Sequence, residues 1–105
     1  MKNKRFTIED RRRHIIESFV TVAKGRHYNA VKRDEVAAVA SVTGATVTRH
    51  FNESMRELRV EVVKYCVENE IIEIIAQAIA IQDTAAANIT QETREKVVEF
   101  VRGCK

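Results

Sequence analysis

The 105 residues contain no proline, and only three glycines: Gly25, Gly44 and Gly103. Proline and glycine are the residues that most often interrupt regular structure. A chain lacking the first and poor in the second, with apolar residues recurring every three or four positions, is predicted to be all-α with few turns. Its length suits one compact unit with a single core.

The pattern resolves into separate helices. Thr7-Ile8-Glu9-Asp10 reads as a capping box, the threonine hydroxyl covering a free N–H and Asp10 reaching back. Ile8, Ile15, Phe19 and Val22, with Ile16 and Ala23 beside them, form one apolar stripe. Gly25 follows Lys24, where a left-handed residue closing a helix suits glycine. In the polar loop Arg26-His27-Tyr28-Asn29 the tyrosine is expected to plug the core.

A second helix is predicted from about Lys32 to Ala40, with Val36, Ala37, Val39 and Ala40 inward. After a turn at Ser41-Val42, a third runs from about Thr43 to His50. Small residues cluster here: Ala37, Ala38, Ala40, Gly44 and Ala45. Two short helices crossing steeply need small side chains where their backbones approach, so the segment is expected to be a helix-turn-helix.

A further capping box, Ser54-Met55-Arg56-Glu57, starts a long helix, whole or broken, with Leu58, Val62, Cys66, Ile72, Ile75 and Ile79 on its inner face. Its second half, from Glu70 to Ile81, is apolar around most of its circumference. A helix of that kind must be covered on most sides. The last helix, from Thr90 or Gln91 to Arg102, offers Val97, Val98, Phe100 and Val101 inward but cannot supply all the cover. Each fully covered isoleucine contributes roughly 1.5–3 kcal/mol, so a second copy of the chain is the expected partner. The interface is placed on Ile71, Ile74, Ile75, Ile79, Ile81, Val97, Phe100 and Val101.

Charge divides the chain. Residues 1–53 hold eleven Lys/Arg against six Asp/Glu, a net +5, and residues 54–105 hold seven against nine, a net −2. The first part (basic arm and helix-turn-helix) is directed toward a polyanion such as nucleic acid, and the second toward dimerisation. No run of apolar residues reaches the ~18 of a membrane span. The basic start Met1-Lys2-Asn3-Lys4-Arg5 is not followed by an apolar signal core, so a cytoplasmic location is expected. Cys66 and Cys104 show no metal-ligand or CxxC spacing. Cys66 reads as core and Cys104 as an adventitious oxidation site. Phosphate-binding, zinc-protease and nucleophile-elbow motifs are missing, so neither an enzyme nor a cofactor or metal is expected. Arg11-Arg12-Arg13 reads as a solvated face, and His14 and His27 as surface or loop residues.

The segment from Ile15 to Leu58 resembles the DNA-binding domain of the tetracycline-repressor (TetR) family. The resemblance is carried by Ile15-Ile16 with Phe19, Ala23-Lys24-Gly25 with Tyr28, and Asp34-Glu35-Val36-Ala37. It continues through Ala40-Ser41-Val42-Thr43 and Thr46-Val47-Thr48-Arg49-His50-Phe51. Ser41 stands where the family has a turn glycine, and Thr48 where it has a phosphate-binding tyrosine. Only about 50 residues follow, against well over a hundred in family members. The resemblance therefore implies the DNA-binding fold, and no small-molecule effector is expected.

In such a fold the second helix of the pair enters the major groove of double-stranded DNA. Thr43, Gly44, Ala45, Thr46, Thr48 and Arg49 are the expected base contacts, with methyl groups for thymine and Arg49 for guanine or a phosphate. Lys32, Arg33, His50 and Asn52 are expected at phosphates, and the arm Lys2, Lys4 and Arg5 at phosphates or in a minor groove. A homodimeric regulator on a palindromic operator is the leading function. A helical protein-interaction dimer and a non-specific architectural DNA binder are the alternatives.

Overall fold

In a computed structural model describing residues 7–87 and 89–103, every regular element is helical. The helices are α1 (Ile8–Ala23), α2 (Arg33–Ala40), α3 (Gly44–Arg49), α4 (Met55–Glu68), α5 (Ile72–Ala80) and α6 (Gln91–Gly103). Single 3-10 turns lie at Tyr28–Ala30 and Thr84–Ala86. The arm residues Lys2, Lys4 and Arg5, and Cys104, lie outside the described residues.

Helix starts follow the sequence closely. The Thr7 hydroxyl accepts from the Asp10 N–H at 3.0 Å, and the Ser54 hydroxyl from the Glu57 N–H at 3.2 Å. Each satisfies a donor that the first helical turn leaves free. Gly25 takes φ 87, as a residue closing α1 should.

The ends of α2, α3, α4 and α5 are made without glycine. Ser41, Asn52, Glu53, Glu70 and Gln82 all have φ between 53 and 60, a conformation that costs an L-residue roughly 1–2 kcal/mol. At Glu70 the Ile71 N–H reaches back to the Cys66 carbonyl at 2.8 Å, and the Glu70 N–H to that of Val67. At Gln82 the Asp83 N–H bonds the Ala78 carbonyl at 2.8 Å. These reverse bonds satisfy the last carbonyls of a helix. The long helix expected from Ser54 is therefore broken at Asn69-Glu70-Ile71, and its second half folds back as α5.

That reversal changes what a single chain can cover. The core joins Ile15, Phe19, Tyr28, Val31, Val36, Val47, Phe51, Leu58, Val62 and Cys66 to Ile74, Ile75, Ala86 and Val97. Ile74, Ile75 and Val97, expected at a dimer interface, are buried within one chain. Of the rest, Ile71 and Ile79 are half-buried, and Ile81, Phe100 and Val101 are 48%, 37% and 55% exposed.

Val98, Phe100 and Val101 do not turn inward as expected. The Lys96 ammonium pairs with the Glu70 carboxylate at 2.8 Å, which places residue 96 beside the residues preceding α5. Val97 is the last buried residue of α6, and the apolar residues after it remain partly exposed. Val39 and Ile8 are also exposed, Val36, Ala37 and Ala40 having taken the inner face of α2.

Candidate nucleic-acid interface

α2 and α3 meet through three residues, Ser41 to Thr43. The Val42 N–H bonds the Ala37 carbonyl at 3.1 Å, and left-handed Ser41 turns the chain. Val42 is half-buried against the core, and Val47 is fully buried from the α3 side. α3 is opened by the Thr43 hydroxyl, which accepts from the Thr46 N–H at 3.1 Å and lies 3.0 Å from the Thr46 hydroxyl.

α1 closes the C-terminal ends of both helices. The Arg12 guanidinium donates to the His50 carbonyl and lies 4.6 Å from the centre of the Phe51 ring. His14 places Nε2 3.1 Å from the Ala40 carbonyl, an acceptor that requires the proton on that nitrogen. Arg12 is thus not part of a merely solvated face, nor is His14 a surface histidine. Neither role had a local signal, because both bonds join residues far apart in the chain.

The outer surface of α3 is small. Ala45 and Arg49 are exposed, and Gly44 and Thr46 half-buried. Thr48 is corrected as a base contact: it is 6% exposed, and its hydroxyl bonds back toward the Ala45 carbonyl at 3.4 Å. A helix of six residues packed by Val47 has its neighbour drawn inward as well.

Cations surround this surface. A cleft of about 260 Å3 lies between the start of α1 and α3, lined by Thr7, Ile8, Arg11, Thr46, Arg49 and His50. Burial holds the His50 imidazole below its ordinary pKa, and the positive charges of Arg11, Arg49 and Arg12 lower it further. A histidine suppressed by three arginines marks a locally positive field. Lys32 and Arg33 stand exposed at the start of α2, and Asn52 is exposed just beyond α3. Glu35 does not face this field as a free charge. It accepts from the Lys32 N–H at 2.9 Å and pairs with Arg26 at 2.6 Å, bonds that hold its pKa below the usual range.

The structure thus puts Thr43, Gly44, Ala45, Thr46 and Arg49 on α3 and its cap, with Arg33 against Gly44 and His50 in one cleft with Thr46 and Arg49. Lys32 and Asn52 are exposed before α2 and after α3, and Thr48 is removed from the outer face. Among the described residues, no three His, Cys, Asp or Glu side chains come together as a metal-ligand set, and no helix is long and apolar enough to cross a membrane. Comparison with family models, curated proteins and solved structures returns no match.

Proposed function

We propose that the chain is a sequence-specific DNA-binding regulator that acts as a homodimer. Its DNA-reading unit is a helix-turn-helix of the tetracycline-repressor kind, formed by α2 and α3. The observation carrying this reading is the outer face of α3: short side chains at Ala45 and Thr46, with Arg33 over the start of the helix and Arg11 and Arg49 lining the cleft at Thr46. Short side chains let a helix backbone approach base edges closely, and cations flanking it suit the phosphates on either side. Thr46 and Ala45 supply methyl groups for thymine, and Arg49 supplies a guanidinium.

Dimerisation is assigned to apolar residues that one chain leaves exposed: Phe100 and Val101 near the end of α6, with Val98 beside them. A twofold axis through such a face presents two α3 helices to a palindrome, with half-sites about one helical turn (~34 Å) apart. The regulator then acts as a repressor by occupying its operator.

Selection of bound sequences from a random double-stranded DNA pool at near-physiological salt tests this reading. An inverted repeat is the expected result. Binding without an enriched motif replaces the reading with an architectural DNA binder, and no binding replaces it with a protein-interaction role.

A further inference from the structure

Gly44, the first residue of α3, is covered by the ends of two side chains from α2. A Cβ built there would lie 2.9 Å from Arg33 Nε, 3.3 Å from Arg33 Cζ and 3.0 Å from Asp34 Oδ1. Its φ is not in the left-handed region, so its backbone does not require glycine. What glycine provides is room. The volume that any other residue would fill is taken by the guanidinium of Arg33, reaching from the first turn of α2 across the start of α3.

We propose that Arg33 is a specificity-determining residue that reads a guanine beside α3, rather than one more phosphate contact, and that Gly44 and Asp34 are positioning residues for it. This rests on the DNA-binding reading above. Three observations support the assignment. The side chain is held at the start of the helix assigned to the major groove, although its own backbone belongs to α2. Arg33 Nε lies 3.8 Å from the Asp34 carboxylate, an exposed ion pair that draws the guanidinium toward this side of α2. Among the described residues Asp34 is the partner the guanidinium has, so its two terminal nitrogens remain to donate side by side. A planar pair of N–H donors matches O6 and N7 of guanine. Beside Gly44 no other group does this: Ala45 offers only a methyl, and the Thr43 and Thr46 hydroxyls bond one another, while the second guanidinium, Arg49, stands at the far end of α3.

Phosphate and base contacts leave different signatures. Losing a phosphate contact weakens binding about equally on all sequences and reduces the salt dependence. Losing a bidentate base contact erases the preference at one base pair. The experiment is the random-pool selection repeated with Arg33→Ala and Gly44→Ala, followed by titration of the selected duplex. A second duplex carries 7-deazaguanine in place of the assigned guanine. Arg33→Ala is expected to lose the guanine preference at one position per half-site, with a ten- to hundred-fold fall in affinity for the selected duplex. The wild-type chain should lose comparable affinity on the deaza duplex, and Arg33→Ala should be indifferent to it. Gly44→Ala should show the same local loss with its helix content unchanged, because its methyl displaces Arg33.

The inference is overturned, with the DNA-binding reading intact, if the wild-type chain selects an inverted repeat and Arg33→Ala retains every base preference. It is also overturned if Gly44→Ala leaves the guanine preference unaltered. A wild-type chain that selects no motif overturns both readings together.

Discussion

The Tyr28 hydroxyl donates to the Asp83 carboxylate across 2.5 Å, joining the loop after α1 to the turn after α5, 55 residues later. The Tyr28 N–H also donates to the Gln77 side chain at 2.9 Å. Tyr28 is buried, so losing the hydroxyl leaves Asp83 Oδ2 without its donor, while Oδ1 keeps the Ala85 N–H at 2.9 Å. Tyr28→Phe is expected to cost about 1–2 kcal/mol of stability. Asp83→Asn should cost less, and the double variant less than the sum of the two. Denaturant unfolding of the four proteins measures this coupling.

The same pair sets an alkaline limit. Burial first, then the hydrogen bond and charge of Asp83, raise the Tyr28 ionisation well above its ordinary range. The folded chain thus keeps a proton that the unfolded chain releases above pH ~10. Tyr28's contribution is complete below that pH and declines as pH rises through the raised folded value. Tyr65, raised by burial and Glu17, behaves in the same sense. The readout is therefore the difference between wild type and Tyr28→Phe, which should narrow as pH rises beyond ~10.

His50 provides a pH test of DNA binding. With its free-state pKa held below the ordinary ~6.5, a phosphate in the cleft would draw it upward. Binding then takes up a proton, so affinity rises as pH falls between the bound and free values and levels off outside them. His50→Gln should flatten that profile in fluorescence-anisotropy titrations. A wild-type profile already flat between pH 5 and 8 would count against a phosphate at this position.

Helix ends provide a paired test of backbone strain. Gln82 is exposed at φ 58, and its side chain has no hydrogen bond among the described residues. Gln82→Gly is expected to stabilise the chain by roughly 0.5–1 kcal/mol, the relief at a left-handed residue outweighing glycine's extra unfolded-state entropy. Gly25→Ala, at φ 87 with nothing within 4 Å of an added Cβ, should destabilise by about 1 kcal/mol through the backbone alone. Thermal denaturation should show shifts of opposite sign.

Phe100→Glu is expected to leave α6 folded and dissociate the proposed dimer, since Phe100 is part of the exposed apolar end of α6. Sedimentation should show a monomer, with operator affinity reduced and melting of the single chain little changed. A wild-type chain already monomeric at high concentration would remove the dimer from the reading.

Legibility followed locality. Starts at Thr7 and Ser54, closure at Gly25, and burial of Tyr28 and Cys66 all depend on short-range chemistry, and all are visible in the sequence. The break at Asn69-Glu70-Ile71 is not, because no glycine or proline marks it: the left-handed turn is stabilised by burying Ile74 and Ile75 against α4. The inward turn of Thr48 was equally hidden, since a threonine can stand on either face of a six-residue helix. Arg12 and His14 gained their roles from carbonyls of helices not yet positioned. At the candidate site the residue types are readable in the sequence, but the contact of Arg33 with Gly44 depends on how α2 crosses α3.

The change of charge near residue 53 is not a seam in the protein. One apolar cluster runs from Ile15 to Val97, and Tyr28, Gln77 and Asp83 stitch the basic part to the acidic part across it. Transplanting residues 1–53 onto a foreign oligomerisation module would therefore carry over an exposed half-core. Any useful chimera has to keep the chain through Val97 and attach new parts beyond it. Whatever binds the acidic side is also, mechanically, gripping the α1–α2 connection beside α2 and α3.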